Sequence, residues 1–475
     1  MLFSSLEFLY LFLPLTLLVY FCVPLRFRNP VLLVFSLAFY GWGEPIYVFL
    51  MIFTILVDYA AGRLIERAAT ARRRRAWLIT AIAINLLLLA FFKYSGFLLD
   101  NLRRIPALSG LPTFSVALPI GISFYTFQAL SYVIDVYRRQ VAVQKDPVAF
   151  GTYVTLFPQL IAGPIVRYSD VDRDLTARTH SVALAAGGIR TFVCGLCKKV
   201  LLANTAGSIW ATMRDMPVAQ QTTFGAWLGI LCFTIQIYFD FSGYSDMAIG
   251  LGRMLGFRFP ENFYYPMTAS SITDYWRRWH ITLSTWFREY VYIPLGGNRC
   301  GKGRTFLNLF IVWLLTGLWH GASWNFVLWG LYFFVLLAME RLFLGRLLEK
   351  APRVLGHVWT LLCVVFSFYI FVFDSSLPTL SSSAALSYLG VMFGAGGGGW
   401  CNSAVLYELL RNLPFLVLCI VGMTPLMKRL FWRLYEKGHA RTGAWLSVAL
   451  TLLGLLLSTA YLVDSAYNPF LYFRF

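Results

Sequence analysis

From Phe306 to Met339 the chain reads FLNLFIVWLLTGLWHGASWNFVLWGLYFFVLLAM, with no Asp, Glu, Lys or Arg. As a single helix, at about 1.5 Å rise per residue, it would be about 50 Å long against a hydrocarbon core of about 30 Å. The run is therefore either two helices meeting near Gly317–Gly321 or one helix that overruns a bilayer. Either way His320, its one readily titratable side chain, lies deep in apolar sequence beside Trp319, Gly321 and Trp324. An ionisable residue at membrane depth is costly to keep and marks a candidate functional site. The plainer alternative is a neutral histidine hydrogen-bonded to a neighbouring helix.

The remaining sequence has the same character. Of 475 residues, 59% are hydrophobic and 13% charged, where soluble domains carry about 25% charged residues. The net charge of +18 comes from basic residues clustered between apolar runs, which fits the positive-inside rule and anionic headgroups better than nucleic-acid binding. Cysteines such as Cys22, Cys232, Cys363 and Cys419 lie inside apolar segments. Cys194 and Cys197 form a CxxC with no second pair, so they read as packing residues rather than a metal or redox centre. No third ligand stands at metal-site spacing from the histidines, so no metal is expected.

Taken in order, Phe8–Val23 has no basic residue before it and reads as a retained first helix rather than a cleaved signal peptide. Arg26 and Arg28 follow, placing that end in the cytoplasm and the N-terminus outside. Val31–Ala61 is broken at Gly41-Trp-Gly-Glu-Pro45, and Arg72–Arg75 anchor the next cytoplasmic loop. The stretch from Asp146 to Thr179 suggests interfacial or re-entrant helices. The span Trp227–Leu251 carries Gln236, Asp240 and Asp246, the carboxylates being read as partners of Arg253, Arg277 or Arg278. AGGGG at Ala395–Gly399 reads as a flexible loop, and no internal repeat supports an inverted-repeat transporter. The expectation is an all-α polytopic membrane protein of about ten or eleven transmembrane helices plus interfacial helices. It forms one domain over 1–475, with N-terminal helices 1–145, a catalytic core 146–345 and C-terminal helices 346–475.

Residues 262–298 carry the second constellation. His280 stands among Trp276, Trp279 and Trp286, with Arg277, Arg278 and Arg288 supplying positive charge. Arginines grip phosphates in forked fashion and aromatic rings stack flat bases, as a cytoplasmic funnel for a coenzyme A donor would require. An amphipathic interfacial helix would use the same residue types. A neutral histidine can take a proton from a hydroxyl as that oxygen attacks a thioester. No nucleophile motif such as GxSxG indicates acyl-enzyme chemistry.

Five stretches then carry a resemblance: LPIGISFYTFQALSYVIDVYR (118–138), FPQLIAGPIVRY (157–168), IQIYFDFSGYSDMAIGLGRMLGF (235–257), PENFYYP through LGGNR (260–299) and LTGLWHGASWNFVLWGLY (315–332). With the opening MLFSSLEFLYLFLPL and the closing NPFLYFRF, the chain resembles the membrane-bound O-acyltransferase family, in its bacterial alginate O-acetyltransferase branch, from end to end. The resemblance implies a multi-helix fold with a central funnel or pore and catalytic histidines at His320 and His280. The expected funnel residues are Trp276, Arg277, Arg278, Trp279, Trp286, Arg288, Trp319 and Asn325. It implies an acetyl group passed from a cytoplasmic thioester, acetyl-CoA with no bound cofactor, to a periplasmic acetyltransferase partner and an exported polysaccharide such as alginate. The setting would be the bacterial inner membrane. Cys197 and Asp374 depart from the usual family residues without touching the histidine motifs. D-alanyl transfer to teichoic acid and a non-catalytic conduit for acyl groups or polymer are the alternatives.

Overall fold

The computed structural model describes residues 1–114, 116–373, 382–436, 440–464, 468–469 and 471. Asp374 and most of the closing NPFLYFRF lie outside the described residues. The described residues form helices joined by loops and turns, with no strand among them. They are labelled here α1 (Phe8–Cys22), α2 (Arg28–Gly43), α3 (Tyr47–Arg67), α4 (Ala71–Arg103), α5 (Ile122–Arg138), α6 (Pro147–Thr155), α7 (Tyr168–Thr176), α8 (Val182–Arg214) and α9 (Thr223–Met254). After these come α10 (Ile272–Trp276), α11 (Ile281–Phe287), α12 (Gly301–His320), α13 (Trp324–Lys350), α14 (Arg353–Val372), α15 (Ser383–Met392), α16 (Ser403–Gly422), α17 (Leu426–Glu436) and α18 (Ala440–Asp464).

Among the described residues, 8 helices are long and apolar enough to cross a membrane: α3, α4, α8, α9, α13, α14, α16 and α18. Their outer faces are apolar too. Leu87, Leu328 and Leu456 are all more than half exposed, which a bilayer stabilises and water does not. The chain is a multi-pass, all-α membrane protein.

The chain divides into two compact units interleaved along the sequence. The first comprises Met1–Phe192, Tyr244–Glu261 and Thr285–Pro294. Its core is a cluster of rings, Phe3, Phe8, Phe12, Phe39 and Phe157, with Tyr244 stacked on Phe3 at 4.5 Å. α2 ends at Gly43 and α3 begins at Tyr47, so the chain breaks at the turn signal read at Gly41–Pro45. Polar side chains inside the helices are matched across them. Asn85 of α4 donates to buried Asp58 of α3 at 2.8 Å, and Lys93 of α4 donates to Ser123 of α5 at 3.3 Å. Between 146 and 179 the helices α6 and α7 are short, in keeping with the mixed polarity of that stretch.

The second unit comprises Val193–Gly243, Asn262–Ser284 and Leu295–Phe475. Its long apolar run is two helices, α12 and α13, broken over Gly321–Ser323. Gly317 and Gly330 let them touch. A β-carbon on Gly317 would collide with the Phe326 carbonyl, and one on Gly330 with the Trp313 carbonyl, so the backbones meet as in small-residue membrane helix pairs.

Two expectations are corrected here. Asp240 does not pair with an arginine: its carboxylate lies 2.7 Å from Lys199 Nζ of α8, and both side chains are buried. Lys199 also donates to Asn204 at 2.9 Å and to the Pro469 carbonyl, while the Leu471 amide donates to Asp240 at 3.0 Å. Arg253 instead donates to Thr191, and Arg278 to Asp274. The glycine run at 396–399 is a clasp rather than a flexible loop. The Gly398 amide donates to the Gln221 carbonyl, Thr223 donates to Gly399, and β-carbons at Gly396 and Gly398 would strike the backbone of Gln220 and Gln221.

Candidate active site

His280 owes its position to a loop pinned at both ends. The Ile281 amide donates to the Asn262 carbonyl at 3.0 Å, and the Tyr264 amide to the Arg278 carbonyl at 2.9 Å. Upstream, helix α10 is capped by a carboxylate distant in sequence. Glu340, buried on α13, accepts from the amides of Ile272 (2.5 Å) and Thr273 (2.9 Å) and from the Thr273 hydroxyl (2.7 Å). The chain then turns at His280 itself, whose φ of 45° is left-handed. A non-glycine residue held there costs about 1–3 kcal/mol, a strain found where surrounding structure fixes a functional side chain.

The His280 side chain is fully buried. Its Nδ1 faces Asn262 Oδ1 at 3.1 Å, and the same oxygen faces the Thr282 amide (3.4 Å) and hydroxyl (2.9 Å). An amide N–H can only donate, so the Asn262 atom turned toward it is the carbonyl oxygen. That oxygen can only accept, so His280 carries its proton on Nδ1 and presents Nε2 as the basic nitrogen. Nε2 makes no hydrogen bond among the described residues. Burial, with a smaller push from the nearby His320, holds His280 well below the ordinary histidine value, so it is neutral at pH 7.

Trp319 joins the two histidines, its ring 5.9 Å from His280 and 5.1 Å from His320. Phe241 meets His280 edge-on at 4.7 Å. Trp329 and Phe371 meet His320 edge-on at 4.8 and 5.3 Å. Trp276 extends the cage to Trp313, Trp329 and Phe333, and Trp279 to Tyr238, Phe263 and Phe368. Asn325 Nδ2 donates to the Phe371 carbonyl at 3.1 Å. Buried polar atoms are nearly always hydrogen-bonded, yet Trp276 Nε1, Trp329 Nε1 and Asn325 Oδ1 of this cluster, like His280 Nε2, have no hydrogen-bond partner among the described residues.

The structure thus gathers His280, His320, Trp276, Trp279, Trp319 and Asn325. Arg277 is exposed, and Arg278 is paired with Asp274 at 2.9 Å. Trp286 and Arg288 belong to the first unit, where Trp286 stacks on Phe127 at 3.7 Å and donates to its carbonyl, and Arg288 pairs with Glu289. Gln236 is buried in α9, and Asp246 of α9 belongs to the first unit. Sequence reasoning passed over Asn262 and Glu340. The one signal for Asn262 was its place in PENFYYP beside the histidine segment. Glu340, a lone acid ending a long apolar run, had none. Among the described residues, no three His, Cys, Asp or Glu side chains are grouped to hold a metal ion.

Comparison with known proteins gives this site its context. The chain is 46% identical over 380 residues to a Pseudomonas aeruginosa protein named probable alginate O-acetylase, covering 78% of this chain and 72% of that one. It is 40% identical to the protein of the same name from Pseudomonas putida, over 100% of both chains. A more distant relative, 27% identical over 54% of this chain and 67% of its own, is the teichoic acid D-alanyltransferase of Bacillus subtilis. The model of the membrane-bound O-acyltransferase family matches residues 124–383, more than half the chain and a stretch that includes both caged histidines. The chain belongs to the membrane-bound O-acyltransferase family and is an O-acyltransferase.

Proposed function

We propose that this protein transfers an acetyl group from a cytoplasmic thioester, acetyl-CoA in the simplest case, to hydroxyl groups destined for an exported polysaccharide of the alginate class. The observation that carries the reading is the pair of buried histidines, His280 and His320, sharing the Trp319 ring. The names and high identities of its relatives support the acetyl group and the polymer. In this reading a neutral imidazole of the pair takes the proton of the acceptor hydroxyl while its oxygen bonds to the thioester carbonyl carbon. The carbon–sulfur bond then breaks, and the thiolate leaves with the proton the imidazole held. The aromatic walls keep water from competing for the acyl group. The acceptor side faces the periplasm, where a partner acetyltransferase passes the group onward. The protein sits in the inner membrane with its N-terminus outside, the orientation favoured by Arg26, Arg28 and Arg72–Arg75.

The test is acetylation of the exopolysaccharide in a deletion strain complemented with wild type, His320→Ala or His280→Ala, with membrane levels checked by immunoblot. The reading requires ester-linked acetate to fall to the deletion level with either variant present in the membrane. Normal acetylation with His320→Ala would leave the protein a conduit. Ester-linked D-alanine in place of acetate would move it to teichoic acid chemistry.

A further inference from the structure

A second cluster of polar side chains lies in the first unit, where the end of α1, the start of α2, the loop before α8 and the end of α9 meet. At its centre is Tyr20, fully buried. The Tyr20 hydroxyl donates to the Leu255 carbonyl at 2.7 Å and lies 3.0 Å from His180 Nε2. Its single proton is taken by the carbonyl, so His180 donates from Nε2 to the hydroxyl oxygen and leaves Nδ1 as an acceptor. Arg28 Nη1 lies 3.1 Å from Nδ1 and 3.2 Å from Nε2, and Nδ1 is the nitrogen able to accept its proton.

Two guanidinium groups converge on this tyrosine. Arg28 sits 4.9 Å from the Tyr20 ring centre and 5.5 Å from that of Phe21. Arg178 sits 5.8 Å from Tyr20 and 4.6 Å from Phe257, and its Nη2 donates to Asn29 Oδ1 at 2.7 Å. Among the described residues, neither arginine has a carboxylate within 4.0 Å. Asp174, farther off, offsets part of the repulsion between these like charges at Arg178, and rigid rings, a histidine and an asparagine hold the two guanidinium groups in place.

Topology-setting arginines do not need such housing. Arg72, Arg73 and Arg75 at the start of α4 are exposed. Arg28 and Arg178 are half-buried and oriented, the pre-organised fork that suits a phosphate oxygen pair. Beside them Phe21, Leu25 and Phe27 are 47%, 61% and 47% exposed, an apolar collar next to the two guanidinium groups.

We propose that Arg28 and Arg178, framed by Tyr20, His180 and Asn29, form a binding site for a phosphate group. The group is carried either by an anionic lipid whose chains lie along Phe21, Leu25 and Phe27, or by a soluble phosphate ligand. Bound there, the anion ties α1 and α2 to the loop before α8 and to the end of α9.

The experiment compares purified protein in neutral detergent with added phosphatidylglycerol, phosphatidylcholine or inorganic phosphate, read by thermal unfolding and by native mass spectrometry of retained lipid. Wild type is set against Arg28→Gln/Arg178→Gln and against Arg72→Gln/Arg73→Gln, which removes the same charge from an exposed stretch. A shift with phosphatidylglycerol alone, weakened at least tenfold in the first pair and kept in the second, establishes a lipid site. A shift with inorganic phosphate as well, with the same dependence on Arg28 and Arg178, establishes a site open to soluble ligands. Equal loss in both pairs, or no response to any probe, overturns the proposal. Should the double glutamine variant fail to fold, Arg178→Lys keeps the charge and removes the fork, and undiminished binding in it is equally fatal.

Discussion

The side-chain oxygen of Asn262 accepts from His280 Nδ1 at 3.1 Å, and through that one bond a residue eighteen positions upstream decides which nitrogen of the histidine is basic. The orientation of the amide is in turn fixed by Thr282, whose backbone N–H needs an acceptor. Asn262 is therefore a positioning residue, acting on the reaction only through His280.

Asn262→Ala removes the acceptor and frees the imidazole to exchange tautomers. A fall in kcat of about 10- to 100-fold is expected, the usual effect of losing a group that orients a functional histidine, with KM for the thioester little changed. Asn262→Asp, which keeps an oxygen facing Nδ1, should recover part of the loss. Steady-state kinetics of thioester consumption in detergent checks both, and a rise in KM alone would assign Asn262 to donor binding.

Glu340 supports the same loop from the other side. Its replacement by Ala strands the buried amide of Ile272, costing about 1–3 kcal/mol when unsatisfied, and takes the acceptor from the part-buried Thr273 amide. The thermal midpoint of the purified protein should fall, and acetyl transfer with it, whereas Glu340→Gln should retain most of the cap.

The buried Lys199–Asp240 pair gives a test of opposite signs. Breaking it with Lys199→Met or Asp240→Leu leaves one buried charge, at a cost of about 3–5 kcal/mol, and the variants should be depleted from membranes. The double variant Lys199→Met/Asp240→Leu should be more abundant than either single one. Quantitative immunoblotting of membrane fractions reads the order directly.

His180 predicts a pH effect. Burial, then the charges of Arg28 and Arg178, hold it below its ordinary value, with a backbone contact at Leu255 opposing. Tyr20 is the other titratable group touching it. The unfolded chain thus binds the proton more readily than the folded one, so stability is lost as pH falls below about 6.5. His180→Gln, which cannot charge, should flatten the dependence of the thermal midpoint on pH between neutrality and pH 5, and an unchanged slope would remove His180 from that role.

The helical hairpin was legible because length against bilayer thickness left two options, and both placed His320 at depth. His280 was legible from its neighbours Trp276 and Trp279. Long-range partners were not. Asp240 lies closer in sequence to Arg253 than to Lys199, yet α8 and α9 set lysine and aspartate side by side. Glycines 396–398 have the composition of a tether, and only the backbone of Gln220 and Gln221 across from them shows that they are small in order to fit. Asn262 and Glu340 act through a few long-range hydrogen bonds to the histidine loop and to the start of α10, and no periodicity records such contacts.

The Gly317–Gly330 contact has a consequence in the genetic code. Every non-silent single-base change of a glycine codon gives a stop or a residue with a β-carbon, and at both sites that carbon meets a carbonyl of the opposite helix. No non-silent one-step neighbour of either codon keeps the hairpin free of that collision. In a saturation library selected for membrane insertion, these two positions should be emptied of variants before the histidines are, since a histidine can be lost without loss of the fold.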